Sequence, residues 1–452
     1  MKKLLVTLLF IGFANVYSQC WQAIYSKGNF SMGIKTDGTL WGWGSNTSGE
    51  IGLGTTSNIV SPPAQSGSLN NWQSVTTGYN YCLGIKLDGT LWAWGFNGDG
   101  ELGDGTSITR TSPVQVGSSN DWNRVECGGD FSIGIKNNGT LWAWGDNFYY
   151  QLGNGTIFGS FTPIQIGTNS DWVKVSSGSD HTIALKSNGT LWSWGRNTSG
   201  QLGDGSFVDK STPVQIGSSN QWVDIETGSN FSVALQSNGS LWSWGQNSSG
   251  QLGINTQSSR NTPQLINSSL PWVAFAAGNF SCYGIKSDGT LWSWGQNSSG
   301  QLGINSTTNR LIPTQIGVES NWSKVVSGGF HCFAENNQGN VFCWGSNNTG
   351  QLGNGTTVSQ NAPILFSSCS LNNPNINSED DILIYPNPTS SAINISINED
   401  VSRIRILDIY SNIVYENDGN TKHINIDFLQ SGIYFLKLSS VNNTTTHKII
   451  KN

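Results

Sequence analysis

Hydrophobic and polar residues alternate with a period of two along most of the chain. In WVKVSSGSDHTIALKSNGTLWSWG, which starts at Trp172, the segments WVKV, HTIAL and TLWSWG each alternate, and SNG between the last two reads as a hairpin turn. A further short strand is expected at TPVQI, where a proline without an N–H suits a strand start. Helical spacing of apolar residues is absent from these segments, so short strands separated by glycine turns are predicted.

The pattern itself repeats. The tryptophan of each WG falls at Trp43, Trp94, Trp144, Trp194, Trp244, Trp294 and Trp344, and a second opens each unit at Trp21, Trp72, Trp122, Trp172, Trp222, Trp272 and Trp322. LWSWGQNSSGQLGIN occurs twice without change, from Leu241 and from Leu291. Units of about fifty residues therefore fill the chain from Trp21 to Phe366. Four strands per unit and seven units predict an all-β fold, a seven-bladed β-propeller. Tryptophans at fixed repeat positions are read as packing between blades. Each removes ~150–250 Å² from water, on the order of 4–6 kcal/mol as an upper bound.

The segment GSDHTIALKSNGTLWSWGRNTSGQLGDG resembles the repeat of the regulator of chromosome condensation family, with its LWxWG and NxxGQLGxG stretches. All seven units carry WG, and the seventh has VFCWG, with Phe342 in place of the first tryptophan. The resemblance spans about three quarters of the chain and implies a propeller that mainly binds proteins. Kelch repeats have a similar length, but their paired-glycine signature is missing.

Both ends differ from the repeat. MKKLLVTLLFIGFANVYSQC has two lysines, an apolar run too short to span a membrane and small residues at Val16 and Ser18, so residues 1–18 are expected to be a secretory signal peptide. The propeller is expected over 19–369, a polar linker over 370–380 and a small β-sandwich over 381–452. That tail resembles the C-terminal sorting domain of type IX secretion substrates. The features are YPNP at Tyr385, Pro386, Asn387 and Pro388, LQSGIYFLKL containing Gly432, and HKIIKN containing Lys448. The resemblance implies contact with the secretion machinery and a secreted or outer-membrane surface location.

Seven cysteines leave one unpaired in an exported chain. Cys20 precedes the first unit and Cys369 follows the last, so ring closure is expected to bring them into a disulfide clasp, stabilising by roughly 5 kcal/mol. If unit seven turns at NNQG, Cys332 and Cys343 face each other across its hairpin. A second bridge there competes with a reading as small-residue packing, the role of Thr182 and Ser193 in unit four.

Net charge is −6 without a basic run, which argues against a nucleic-acid partner. His181 and His331 occupy a slot held elsewhere by Phe131, Phe231 and Tyr81, a packing position. The stretch from Asn97 to Gly105 holds three acidic residues but lacks the ligand spacing of a calcium loop. No nucleophile elbow, phosphate loop, cofactor fingerprint or metal-ligand spacing is present, and enzyme activity is not expected.

In a regular repeat the departures are informative. Unit three has Phe148, Tyr149 and Tyr150 where unit four has Thr198, Ser199 and Gly200, and Phe158 and Phe161 follow. These five aromatics are the candidate partner-binding residues, because exposed rings anchor interfaces. Glu335 stands where other units have isoleucine or leucine, and is expected to reach solvent where the closing blade frays. The expected function is a secreted or surface-displayed protein-binding scaffold. The competing reading is a glycan-binding adhesin or polysaccharide accessory protein, since exposed rings also stack on sugars.

Overall fold

A computed structural model describes residues 20–368 and, in the tail, 383–385, 389, 391–396, 401–408, 412–419, 423–439 and 444–451. The expected signal peptide, the linker, Cys369 and the Pro386–Pro388 stretch lie outside the described residues. The chain parts into two compact units between Ser370 and Leu371.

In the first unit the strands form four-stranded antiparallel sheets, one for each sequence unit. Blade four runs Trp172–Ser177, His181–Lys186, Leu191–Gly195 and Lys210–Gln215, neighbours in sequence lying side by side. The other six blades follow the same order, so repeat and blade coincide and no strand is exchanged between them. The outermost strand starts earlier than TPVQI. Pro213 sits inside it, at a shift of register between the pairs Gly195↔Lys210 and Ser193↔Val214. A bulge on an edge strand needs no ladder N–H at that residue, which is why proline is tolerated there.

The core lies between blades. One cluster joins Ile183, Leu185 and Leu191 of blade four to Trp222, Ile225 and Trp244 of blade five. The second tryptophan of LWSWG is fully buried. Its indole N–H reaches the loop of the preceding blade: Trp194 Nε1 donates to the Gln151 carbonyl at 3.0 Å and Trp244 Nε1 to the Gln201 carbonyl at 2.9 Å. The receiving loop can come so close only because a glycine lies beneath the ring. Gly203 has φ +75°, and a Cβ there would fall 2.6 Å from Trp244 Nε1. The first tryptophan of the motif is instead half-buried. Lys186 Nζ lies 4.7 Å from the Trp192 ring centre, a lid repeated in most units, and here it also pairs with Asp171 at 3.1 Å.

The ring closes by the same contact. Trp43 Nε1 donates to the Gln351 carbonyl of blade seven at 2.9 Å. This junction is also more aromatic than the others: Phe366 replaces the Val116 or Ile166 of other blades, and its ring lies 5.3 Å from Trp43 and 5.9 Å from Trp21. Cys20 is disulfide-bonded, and its expected partner Cys369 lies outside the described residues.

The expected facing pair in blade seven is corrected. Cys332 and Cys343 are free, and the register sets Cys332 against Trp344 and Phe333 against Cys343. The hairpin closes on Asn336 and Asn340 with Gly339 at φ +77°, an odd-length loop that shifts the pairing by one residue. Nor does this blade fray at Glu335. The carboxylate is partly buried and pairs with Lys324 Nζ at 3.0 Å.

Both propeller histidines are buried packing residues. His331 Nε2 lies 2.8 Å from Ser26 Oγ and from Ser31 Oγ across the closing junction, and His181 Nε2 lies 3.0 Å from Ser232 Oγ. Burial pushes each down to about 3.

The tail holds a three-stranded sheet, Leu383–Tyr385, Ala392–Ser396 and His423–Asn425, and a four-stranded one, Ile413–Asn417, Arg403–Leu407, Gly432–Ser439 and Thr444–Lys451. Ile393 and Ile424 from the first share a core with Ile404, Leu436 and Ile449 from the second, as a sandwich requires.

Two stability predictions follow from the propeller. Gly203→Ala should cost about 3 kcal/mol or more, because it adds a clash to left-handed strain; Gly217→Ala, at φ +62° with open space around it, should cost only about 1 kcal/mol. Urea midpoints of the two variants check this. For His331, the unfolded chain gains a proton near pH 6.5 that the folded protein refuses until about 3, so stability falls as pH drops through that window. His331→Phe, the residue of sibling blades, should remove about 1.4 kcal/mol per pH unit of that loss between pH 6 and 4, read from urea unfolding at each pH.

Candidate functional site

Each blade's loop from third to fourth strand hangs from one asparagine. In blade three Asn147 Oδ1 accepts the Leu152 N–H at 3.0 Å, while its Nδ2 donates to the Thr156 and Phe158 carbonyls at 2.7 and 3.0 Å. Asn197 does the same in blade four. The loop backbone of blade three therefore keeps the repeat's form although its side chains do not. Tyr150 is forced into φ +63°, the conformation that Gly100 and Gly200 hold in the neighbouring blades. A non-glycine residue there costs on the order of 1–2 kcal/mol, so the tyrosine is kept at the expense of fold stability.

The five predicted aromatics do not form one cluster. Phe148, 65% exposed, meets Tyr149 edge-on at 4.9 Å between ring centres. Tyr149 is covered by the Arg196 guanidinium of blade four at 4.4 Å, and Arg196 is held by Asp180 at 3.0 Å. Tyr150 is half-buried. Phe161 leans on the preceding blade, where a Cβ on Gly100 would lie 2.4 Å from its ring. Phe158 is 75% exposed.

Phe158 belongs to a series that the sequence reasoning missed. Its counterparts Ile108 and Val208 are also exposed, as are the adjacent Ile157 and Phe207. The carbonyls of Ile108, Phe158 and Val208 all accept from the loop asparagine, so the three residues hold equivalent places on consecutive blades. Blades five and six carry Ser258 and Thr308 there, while blade seven carries Val358. The available signal was an apolar residue recurring at period fifty in an otherwise polar loop.

The same face of blades two to four is acidic. Burial raises the Asp130 carboxyl, and Asp99, Asp146 and Asp180 raise it further. Asp99 is raised by burial and by Asp146. Glu101 stands where blades three to seven have glutamine and blade one has Glu50. Its Oε1 is buried without a hydrogen-bond partner, and burial, with smaller contributions from Asp130 and Asp99, pushes it up to about 7. The site is thus an arc of exposed apolar side chains beside mutually repelling carboxylates. Among the described residues no group of acidic, histidine or cysteine side chains is arranged to hold a metal ion.

In the tail, Tyr385 pairs with Asn394, Gly432 with Lys451 and Lys448 with Phe435, which puts Gly432 and Lys448 in one antiparallel hairpin. No helix among the described residues is long and apolar enough to cross a membrane.

Comparison with known proteins agrees with both units. The family model described as "RCC1-like domain" matches residues 159–402, more than half of the chain. Models of the regulator of chromosome condensation (RCC1) repeat match 37–85 and 88–135, and also 21–50 and 123–151. The "Secretion system C-terminal sorting domain" matches 383–452. Among curated proteins, the chain is 37% identical over 76 residues to Protein RCC2 of Homo sapiens and 31% identical over 81 residues to the Ultraviolet-B receptor UVR8 of Arabidopsis thaliana. These matches take in 17% and 18% of this chain and 15% and 18% of those relatives. Among solved structures, human WBSCR16 superimposes with a TM-score of 0.66 at 24% identity, over 73% of this chain and 94% of that one. Prp20p of Saccharomyces cerevisiae does so with a TM-score of 0.66 at 22% identity, over 75% and 88%. The chain belongs to the RCC1-like domain family and carries a secretion-system C-terminal sorting domain.

Proposed function

We propose that this protein is a secreted or cell-surface scaffold whose propeller binds a protein partner through the loops of blades two to four. The tail supports export: it matches a sorting domain, and its role is engagement of the type IX secretion machinery. The observation that carries the binding reading is the arc of Ile108, Phe148, Phe158 and Val208, exposed on equivalent loops of neighbouring blades. Apolar anchors inside a charged rim are the usual anatomy of a protein interface. The carboxylates around the arc select a partner with basic groups, since desolvating like charges against each other would oppose docking. Prp20p, whose structure was described with its binding to Gsp1p and histones, is a protein binder of the same fold; the analogy supports the class of function and not the partner.

The test is capture of surface proteins and polysaccharides by the full chain, compared with a Phe148→Ser, Phe158→Ser variant and with an Asp99→Lys, Asp130→Lys variant. The expected outcome is a protein ligand whose affinity falls about tenfold to a hundredfold in the first variant, and which weakens with salt and in the second. A ligand that survives protease treatment and is lost on periodate oxidation would assign the arc to glycans instead. Equal capture by all three forms would mean that these side chains do not bind.

A further inference from the structure

The first strands of the seven blades line an open cavity of about 600 Å³ on the propeller axis. One layer of its wall comes from a single repeat position: Tyr25, Thr76, Glu126, Ser176, Glu226, Ala276 and Val326. The layer is two-sided. Blades two to five contribute polar groups, and the remaining blades contribute Tyr25, Ala276 and Val326, with Phe275 and Val325 beside them.

Lys27 spans the axis at the ends of these strands. It replaces the glycine found at the same place in other blades, and its ammonium donates to the carbonyls of Cys127 and Ser177. Two of its three N–H groups are thus committed to the backbone. Lys174 is also engaged, with Asp224 and, at 3.7 Å, with Glu226 Oε1. Glu126 is left with a single long hydrogen bond, from Thr76 Oγ1 at 3.4 Å. A half-buried carboxylate without a contacting cation is costly unless something pairs with it.

We infer that the axial cavity binds a small organic cation, a primary ammonium on a short apolar chain, with Glu126 as its counter-ion and the Phe275–Val326 side covering the chain. The volume suits such a molecule, and a mainly shaped pocket with a few directed polar groups is the common form of a small-ligand site. The site is independent of the rim arc, so the two readings stand or fall separately.

Protonation provides a second handle. The charged and titratable groups around Glu126 are Tyr25, Lys27, Arg124, Cys127, Lys174, Asp224 and Glu226. Burial pushes Glu126 up to about 7, Glu226 adds to the rise and Lys27 opposes it. Burial likewise raises Glu226, so the midpoint of any profile belongs to the two carboxyls together. Only the ionised form attracts an ammonium; affinity should therefore increase with pH through neutrality.

Calorimetric titration of the full chain with hexylammonium, hexanol and hexanoate tests the inference. The expected result is saturable one-to-one binding of hexylammonium alone, about tenfold tighter at pH 8 than at pH 6. Glu126→Gln should weaken it at least tenfold at pH 8 and flatten the pH dependence, while Phe148→Ser leaves it unchanged. The inference is overturned if the native chain binds hexanol as well as hexylammonium, or shows no saturable binding at millimolar concentration. Undiminished binding by Glu126→Gln would equally sink it.

Discussion

Everything in the propeller depends on how closely one blade can approach the next, and that distance is set by an indole N–H reaching a main-chain carbonyl across the gap. The bond needs a tryptophan on the third strand, a loop that turns its carbonyl toward the ring, and a glycine where the ring lies against the loop. Remove the glycine and the loop is pushed away. Remove the indole and a buried carbonyl loses its donor, which costs about 1–3 kcal/mol beyond the lost packing. The contact links two blades and not two strands of one blade, so it repeats at every junction and carries the ring round to its start.

The junction between blades seven and one has to do more than the others, because no covalent chain crosses it and no strand is shared over it. There the common indole bond is reinforced by Phe366 lying against Trp43 and Trp21, and by His331 between two serines. These are different means to one end: aromatic area and a buried polar bridge, added where the repeat alone leaves the ring free to open.

The blades and their packing were legible in the sequence because alternation and a fifty-residue period are local signals, and the tail's two-sided strands were legible for the same reason. What failed was a pairing fixed by one-residue register, and what was missed was what only the closed ring brings together. The pairing of Cys332 and Cys343 turned on whether the hairpin loop is odd or even in length. Glu126 and Glu226 alternate with apolar neighbours and look like solvent-facing positions. Only when seven inner strands surround an axis does their outward side become an interior. The rim arc was half legible: the aromatics of unit three broke the pattern and stood out, whereas Ile108 and Val208 each looked ordinary within a single unit. Their meaning lies in being neighbours across blades.

Because each sheet is cut from one uninterrupted unit, the gene for this fold can lengthen or shorten in whole blades. An in-phase duplication of fifty residues delivers four strands, the donor indole and the receiving loop together, ready to be spliced between two existing members. The two identical stretches from Leu241 and Leu291 have the form such a copy would leave. Blades of this kind are interchangeable parts at birth and acquire individuality later, one loop at a time.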